Sequence, residues 1–437
     1  MKKILIVLCI LLSSFSCAVQ QEFIADQKIL ESVGNKKSSS YQLNTRIEDG
    51  HYKYYALGKY FKEIPKEITA FSEIETLQIT ANKELKEIPG FLNKLSTLKT
   101  LIISYNPKLT ELDPNAFKIE GLRKIELSDN QINSIPPSIY SLDNLEQLKI
   151  DKNLILNLPK EIGQMKSLKV LKLSSNQIES LPDEIGNLEN LEELYIDDNP
   201  ISELPKSMLK LTKLRKLRMY GTEFKKFPLI LTQMPSLEEI FFSADTIEIP
   251  PSIKKLKSLK KIRVFNSYVK KIPPELGELK NLEYFSFSNS DLSKVQFPSE
   301  LMGLNKLISF SVKKSRLNHF PTFLSGLDSL EIISIRNNQD FTQLSEGLAL
   351  CPKLRSLDLR NNNISSLPED IGLIKELYYL NIENNRLTTL PASLQYNKAN
   401  LGIMYYGNPW KWLPRELVEN FETDDTRHGL PPVAEIR

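Results

Sequence analysis

The residues that could support catalysis are few and lie far apart in the chain. There are three histidines, His51, His319 and His428, whereas acid–base and nucleophilic mechanisms need partners within hydrogen-bond reach. Adjacent acids such as Asp197 and Asp198 occur, but we find no glycine-rich phosphate loop, nucleophile elbow or metal-ligand spacing. The sequence therefore predicts a protein that is not an enzyme and that needs no cofactor and no metal.

A second group of residues has the chemistry of a binding surface. Aromatic side chains alternate with arginine and lysine at Tyr195, Lys216, Arg218, Tyr220, Phe241, Lys261, Arg263, Phe265 and Tyr284. Large aromatic residues and arginine dominate the energetics of protein interfaces, and exposed aromatic residues need a reason to be exposed. The alternative is structural, because aromatic and arginine side chains on neighbouring strands also stabilise one another.

Charge is unevenly distributed around these residues. The segment from Lys210 to Lys271 contains fifteen Lys or Arg and five Asp or Glu, while the whole chain has a formal charge of only +3. A basic centre of this kind would attract an acidic protein or an anionic glycan, and the low net charge gives no reason to expect nucleic acid. We expect several lysines, such as Lys225 and Lys254, to lie away from the binding surface on a solvated rim.

The element that must position these residues is a repeat of 23 residues. The segments LKVLKLSSNQIESLPDEIGNLEN, from Leu168, and LEELYIDDNPISELPKSMLKLTK, from Leu191, share leucine or isoleucine at places one, four and six, asparagine at place nine and proline at place fifteen. Units in this phase begin at Ile74, Leu98, Leu122, Leu145, Leu168, Leu191, Leu214, Leu237, Leu259, Leu282, Leu307, Leu330, Leu354 and Leu377, with a partial unit from Leu401. Places four to six alternate as in a short strand, and the prolines favour extended turns or short 3₁₀ pieces.

This pattern resembles the leucine-rich repeat over residues 51–412, and most closely its 23-residue LPxxIGxLxxL class. Bacterial surface proteins and intracellular scaffolds related to Ras signalling share that class. The resemblance implies an α/β solenoid of about 14 to 16 units over residues 51–409. It further implies a curved parallel sheet on the concave face, loops and short 3₁₀ turns on the convex face, and a macromolecular ligand on the concave face.

Asparagine is absent from place nine in five consecutive central units, which have Thr222, Asp245, Ser267, Ser290 and Ser315 there. The asparagine amide can satisfy backbone groups that the bend of each repeat would bury. Two interpretations remain open: a local change of curvature or twist, or neutral exchange among hydrogen-bonding residues.

The first 17 residues are predicted to be a signal peptide with a relaxed lipobox. Two lysines precede an apolar run over residues 4–12, which is too short to span a bilayer. The ending resembles bacterial lipoproteins, in which the cysteine, here Cys17, is lipidated, although Ser14 stands where that family usually has leucine. Ordinary cleavage after Ala18 is the alternative. Cys351 is the one cysteine left inside the fold, so no internal disulfide is expected.

The ends are expected to differ from the repeats. Residues 18–50 read as a tether and the start of an N-terminal cap. Residues 410–437 read as a C-terminal cap and tail, because GNPWKWLPREL resembles the family's cap, with Trp410 and Trp412 covering the last apolar face.

The sequence thus predicts a monomeric binding protein, exported to the bacterial envelope or surface and held at a membrane by a lipid anchor. A host-directed adhesin at the outer membrane or cell surface, or a secreted form, fits this prediction. A periplasmic envelope scaffold and an intracellular Ras-type scaffold are the alternatives. Protease accessibility on intact cells separates the first two, and export would exclude the third.

Overall fold

The structure, a computed structural model, describes residues 17–32, 45–48, 51–58, 61–397, 401–411, 413–414 and 433–434. It divides into two compact units, Met1–Leu214 and Arg215–Arg437. Residues 1–16 of the expected signal peptide and Trp412 of the expected cap lie outside the described residues. Among the described helices, none combines the length and apolar character needed to cross a membrane.

The first unit consists of repeats that each contribute one strand to a parallel sheet. Its helices are α1 (Cys17–Ser32) and α2 (Pro137–Tyr140), and its strands are β1 (Thr45–Glu48), β2 (His51–Gly58), β3 (Thr76–Thr80), β4 (Glu87–Ile88), β5 (Thr100–Ser104), β6 (Glu111–Leu112), β7 (Lys124–Glu126), β8 (Gln147–Lys149), β9 (Val170–Lys172) and β10 (Glu193–Tyr195). Strand β1 pairs antiparallel with β2, and the parallel ladder then runs β2-β3-β5-β7-β8-β9-β10. The short strands β4 and β6 pair beside it.

Helix α1 packs on the first repeat of this unit. Ala25 and Ile29 are buried, and the fully buried carboxylate of Glu22 accepts hydrogen bonds from the Ser72 backbone N–H (3.1 Å) and hydroxyl (3.3 Å). The start of the segment expected to be a tether is therefore helical, and it covers the end of the solenoid. Cys17, the expected lipidation site, is the first residue of this helix.

The second unit repeats the same arrangement. Its strands are β11 (Lys216–Met219), β12 (Glu239–Ser243), β13 (Thr246–Glu248), β14 (Lys261–Phe265), β15 (Tyr268–Lys271), β16 (Tyr284–Ser288), β17 (Ser309–Lys313), β18 (Ile332–Arg336), β19 (Ser356–Asp358), β20 (Tyr379–Asn381), β21 (Gly402–Met404), β22 (Leu413–Pro414) and β23 (Val433–Ala434). A parallel ladder runs β11-β12-β14-β16-β17-β18-β19-β20-β21. The pairs β13–β15 and β22–β23 lie outside it.

Short 3₁₀ helices, and α2 in the repeat that follows β7, form the side of the repeats opposite the strands. The 3₁₀ helices span Lys66–Ala70, Gly90–Lys94, Pro114–Phe117, Lys160–Gln164, Asp183–Asn187 and Lys206–Lys210 in the first unit, and Leu229–Gln233, Pro251–Lys255, Pro274–Glu278, Ser299–Gly303, Thr322–Leu324, Leu348–Leu350, Glu369–Leu373 and Ala392–Asn397 in the second. A proline such as Pro159, with φ −75°, precedes most of them, because its ring fixes the backbone angle at the entry to the turn.

The core follows the repeat register. In β3, Leu77 and Ile79 at places four and six are fully buried while their neighbours are half-buried, as expected for side chains that alternate across a strand. Together with the 3₁₀ turns, this confirms the predicted α/β leucine-rich-repeat solenoid of parallel strands.

Polar side chains at place nine connect successive repeats. The Asn106 side-chain oxygen accepts the backbone N–H of Asn82 at 3.0 Å. In the central repeats serine hydroxyls take over this role, since Ser267 accepts from Ala244 at 3.0 Å and Ser315 accepts from Ser290 at 3.1 Å. Ser267, Ser290 and Ser315 therefore continue the ladder, whereas the Thr222 hydroxyl donates within its own repeat, to the Met219 carbonyl at 2.8 Å.

One of the central units departs from the predicted alignment. Asp245 is exposed, and the ladder position is filled instead by Ser243, which is 4% exposed and accepts the Gly221 N–H at 2.8 Å. The final repeat also begins one residue before the predicted Leu401, because Ile403 pairs with Leu380.

The described part of the C-terminal cap centres on Trp410. Its indole N–H donates to the Tyr405 carbonyl at 3.2 Å, and its ring lies 6.5 Å from that of Tyr405. These contacts hold the Trp410 side chain against Tyr405 of the last repeat.

Candidate ligand-binding surface

Places three, five and seven of each repeat carry the side chains that project from the sheet away from the core, and we call this side the strand face. On the second unit it carries most of the predicted binding residues. Arg218 of β11, Phe241 of β12 and Arg263 of β14 all occupy place five, and the parallel register puts them directly beside one another.

Phe241 lies between two arginines. Its ring centre is 5.4 Å from the Arg218 guanidinium carbon and 4.8 Å from that of Arg263, within the range of a cation–π interaction. Arg263 is exposed and Arg218 is half-buried. Phe241 is only 9% exposed, so the expectation that its ring is open to a ligand is wrong, because the guanidinium groups cover it.

Two further rings meet across a small residue. Tyr220 and Phe265 stand at place seven, on either side of Ser243, and their ring centres are 4.8 Å apart. Because the serine side chain is small, it leaves space in which the two rings contact each other. The Arg218 guanidinium also donates to the Tyr220 hydroxyl at 3.3 Å. The aromatic–arginine cluster thus consists of Arg218, Tyr220, Phe241, Arg263 and Phe265.

Predicted residues at place three lie beside this cluster. Lys261 forms an ion pair with Glu239 at 3.0 Å, and its ammonium group lies 5.1 Å from the ring centre of Tyr284. Lys216 pairs in register with Glu239 on the next strand. The acid at Glu239 therefore offsets part of the charge in this row.

Tyr195 belongs to the first unit and ends strand β10. The Lys172 ammonium group lies 4.3 Å from its ring centre, and its hydroxyl donates to Glu193 at 3.0 Å. It has the same lysine-on-tyrosine stacking as Lys261 and Tyr284.

A basic row that was not predicted from the sequence lies further along the second unit. Lys313, Arg336 and Arg360 occupy place seven of three successive repeats and line an open pocket of about 590 Å³. One carboxylate oxygen of Asp358 pairs with both arginines, at 3.3 and 3.4 Å. Burial lowers the pKa of the Lys313 ammonium group, and the nearby Arg336 and Arg263 guanidinium groups lower it further. The repeat register would have revealed this row, but the predicted basic region ended at Lys271.

The strand faces of the two units differ in charge. At places three, five and seven, strands β3 to β10 of the first unit carry three lysines and four acids, whereas the repeats of β11 to β20 in the second unit carry seven Lys or Arg and three acids. The lysines expected off this face do lie elsewhere, for example Lys254 in a 3₁₀ helix, where it pairs with Glu278 at 3.5 Å.

The described residues contain no cluster of three or more His, Cys, Asp or Glu that could hold a metal ion. Cys351 is buried, and burial raises the pKa of its thiol, which disfavours the reactive thiolate.

Comparisons with known proteins agree with this fold. The family profile described as leucine-rich repeat region matches residues 160–271, and the profile described as leucine rich repeat matches residues 72–132, 96–155, 120–178 and 328–387. Together the matches cover more than half of the chain, which therefore belongs to the leucine-rich-repeat family. Domains of this family are generally non-catalytic scaffolds for protein interaction. No curated protein matches the sequence significantly.

Several solved structures are similar. A leucine-rich-repeat protein of Leptospira interrogans is 29% identical, with 78% of this chain and 91% of that chain covered and a TM-score of 0.64. An internalin of Listeria monocytogenes is 19% identical, with 72% and 88% covered and a TM-score of 0.58. The plant peptide hormone receptor RGFR1, solved in complex with RGF2, is 22% identical, with 82% and 62% covered and a TM-score of 0.58. The fold thus supports a protein-binding repeat protein.

Proposed function

We propose that this protein is exported to the bacterial envelope or surface and binds a macromolecular ligand, in the first place a protein, on the strand face of its second unit, without catalysis. The observation that carries the proposal is the aromatic–arginine cluster. It offers an exposed guanidinium at Arg263 and two half-buried rings at Tyr220 and Phe265.

The contacts within the cluster favour binding because they fix its side chains before a ligand arrives. Arg218 and Arg263 are held against Phe241, so less side-chain freedom is lost when a ligand contacts them. The exposed edges of Tyr220 and Phe265 and the donors of Arg263 remain on the surface. Aromatic and arginine residues in such a cluster are the usual centres of interface energy.

The test is a comparative capture experiment. The mature chain and a Tyr220→Ala/Arg263→Ala/Phe265→Ala variant are used to capture proteins from extracellular-matrix and envelope fractions. We expect proteins retained by the wild type to be lost with the variant and kept with a Tyr105→Ala/Lys149→Ala control, which alters an exposed tyrosine and a half-buried lysine of the first unit. Equal capture by the cluster variant and the control would refute the site.

We assign the chain to the bacterial surface proteins with the 23-residue repeat, anchored through Cys17. Labelled palmitate should be incorporated into the wild type and not into Cys17→Ala. A mature N-terminus at Val19 without lipid would contradict the anchor. Protease treatment of intact cells distinguishes a surface protein, which should be cleaved, from a periplasmic scaffold, which should be protected. An uncleaved leader in the cytoplasm would favour the intracellular scaffold.

A further inference from the structure

We propose that Lys313, Arg336 and Arg360 form an anchoring site for a short acidic segment of the ligand protein. This inference rests on the proposed function, because it names the chemistry of the partner that the strand face of the second unit receives.

The three cations form a compact row. Lys313 of β17 is in register with Arg336 of β18. Arg360 stands two residues beyond Asp358, and Asp358 is the register partner of Ser334, so Arg360 continues the row. Neighbouring strands are about 4.8 Å apart. The row therefore spans about 10 Å, the reach of two or three carboxylates in a peptide.

Asp358 orients the two guanidinium groups. Its side chain is only 12% exposed, and it contacts Arg336 and Arg360 through the same oxygen. Each guanidinium has five N–H donors in a fixed plane, and the planar fork matches a carboxylate. With Asp358 in place, the row keeps an excess of two positive charges, which suits an incoming acidic group.

The row is limited at both ends, which favours a short segment over an extended polyanion. On one side Lys313 is paired in register with the neutral Ser288, and on the other side the pocket ends at Glu383. A long sulfated glycan or nucleic acid would continue past Arg360 and meet the Glu383 carboxylate. A peptide with two or three adjacent acids would not.

The rim of the pocket also suits a peptide. Asn337, Asn361 and Asn384 follow place seven in their repeats and are linked by amide hydrogen bonds of 3.0 and 2.8 Å. Side-chain amides offer both donors and acceptors, as the peptide groups of a bound segment require.

The row is continuous with the aromatic–arginine cluster. Phe265, Ser288 and Lys313 occupy place seven of successive strands in register, so about 10 Å separates Phe265 from Lys313. A protein seated on the cluster would therefore place its neighbouring residues over the row. Burial lowers the pKa of the Lys313 ammonium group first, and repulsion from the Arg336 and Arg263 guanidinium groups adds to it. An anion bound beside the row would offset that repulsion.

The test uses the full chain and a fluorescent peptide of four glutamates flanked by glycine and serine, followed by fluorescence anisotropy. We expect saturable binding that weakens at least about tenfold in Arg336→Gln/Arg360→Gln, since each loses a charged contact. Lys149→Gln is the matched control. It is a similarly half-buried cation on a strand face, paired with Glu126 at 3.5 Å, and it should bind the peptide as the wild type does.

Removal of both arginines leaves Asp358 without its cations, so a folding check is needed. The variant Arg336→Gln/Asp358→Asn/Arg360→Gln replaces the charged set with three amides and should melt close to the wild type while still losing the peptide. Absence of peptide binding in the wild type, or retention in this variant, overturns the inference. Preferential binding of a heparin oligosaccharide at the same residues also overturns it. None of these outcomes alters the capture test of Tyr220, Arg263 and Phe265.

Discussion

Replacement of Phe241 tests whether the covered ring supports the binding surface. The ring is 9% exposed and lies between the Arg218 and Arg263 guanidinium groups, at 5.4 and 4.8 Å. Two changes remove different parts of this arrangement: Phe241→Leu keeps an apolar side chain without the π face, and Phe241→Ala removes the apolar bulk as well.

The expected losses follow from these contacts. Truncation of a buried phenylalanine to alanine costs about 3–5 kcal/mol in a closed core. Phe241 lies on an open sheet under partly exposed arginine side chains, so we expect the lower end, about 3 kcal/mol. Phe241→Leu should lose mainly two cation–π contacts of about 0.5–1 kcal/mol each. Arg263→Met changes an exposed residue and should lower the free energy of unfolding by about 0.5–1 kcal/mol.

A double-mutant cycle isolates the contact. We expect Phe241→Leu and Arg263→Met to couple by about 0.5–1 kcal/mol in urea unfolding, measured where circular dichroism and fluorescence transitions coincide. The control cycle pairs Phe241→Leu with Lys271→Met, an exposed lysine on β15, and should show no coupling. A coupling of zero between Phe241 and Arg263, or a Phe241→Ala variant as stable as the wild type, would refute the stacked arrangement.

Three further predictions concern the solenoid itself. Gly277→Ala should lower the free energy of urea unfolding by about 3 kcal/mol, because the added Cβ would lie 2.0 Å from the Glu300 carbonyl oxygen. Gly121→Ala, whose added Cβ would have its nearest atom at 3.3 Å, should stay near the wild type. Equal losses in the two variants would contradict the steric reason. Asn106→Ala should lower the free energy of unfolding by about 2–4 kcal/mol in the same assay, because the fully buried amide accepts a backbone N–H of the preceding repeat at 3.0 Å. A neutral effect would mean that the ladder contributes nothing to stability. Asp151→Asn should raise the melting temperature at pH 7 and have little effect below about pH 3.5. Burial raises the pKa of Asp151 above its unfolded value, so folding is penalised as pH rises above about 3.9. A gain independent of pH would contradict this cause.

Much of the fold is predictable because its determinants are local. Places four and six of each repeat, such as Leu77 and Ile79, follow directly from the 23-residue spacing, and prolines such as Pro159 mark the entry to the 3₁₀ turns. The exchange of asparagine for serine is also visible in the sequence. That Ser267 keeps the inter-repeat hydrogen bond, however, depends on the distance between repeats, which only the structure provides.

The candidate surface was predictable in part. The register brings Arg218, Phe241 and Arg263 into one row, as the repeat alignment implies, but the sequence does not show that the guanidinium groups fold over the ring. Nor does it show that Ser243 makes room for Tyr220 and Phe265 to meet. Side-chain packing on an open sheet depends on the sizes of neighbours in other repeats, and these lie 22 to 25 residues away in the chain.

The two features of the second unit have complementary roles in this interpretation. The aromatic–arginine cluster is largely satisfied internally, so it gains affinity by burying ring edges and by keeping its side chains fixed. The row at Lys313, Arg336 and Arg360 retains excess charge around a single acid, Asp358, so it contributes mainly to orientation and to the rate of encounter. Salt should therefore weaken ligand binding mainly by lowering the association rate. The salt dependence of that rate should be smaller in Arg336→Gln/Arg360→Gln than in the wild type, and unchanged in Tyr220→Ala/Phe265→Ala. A salt dependence that disappears with the aromatic residues instead would assign the electrostatic attraction to the cluster and contradict this division of roles.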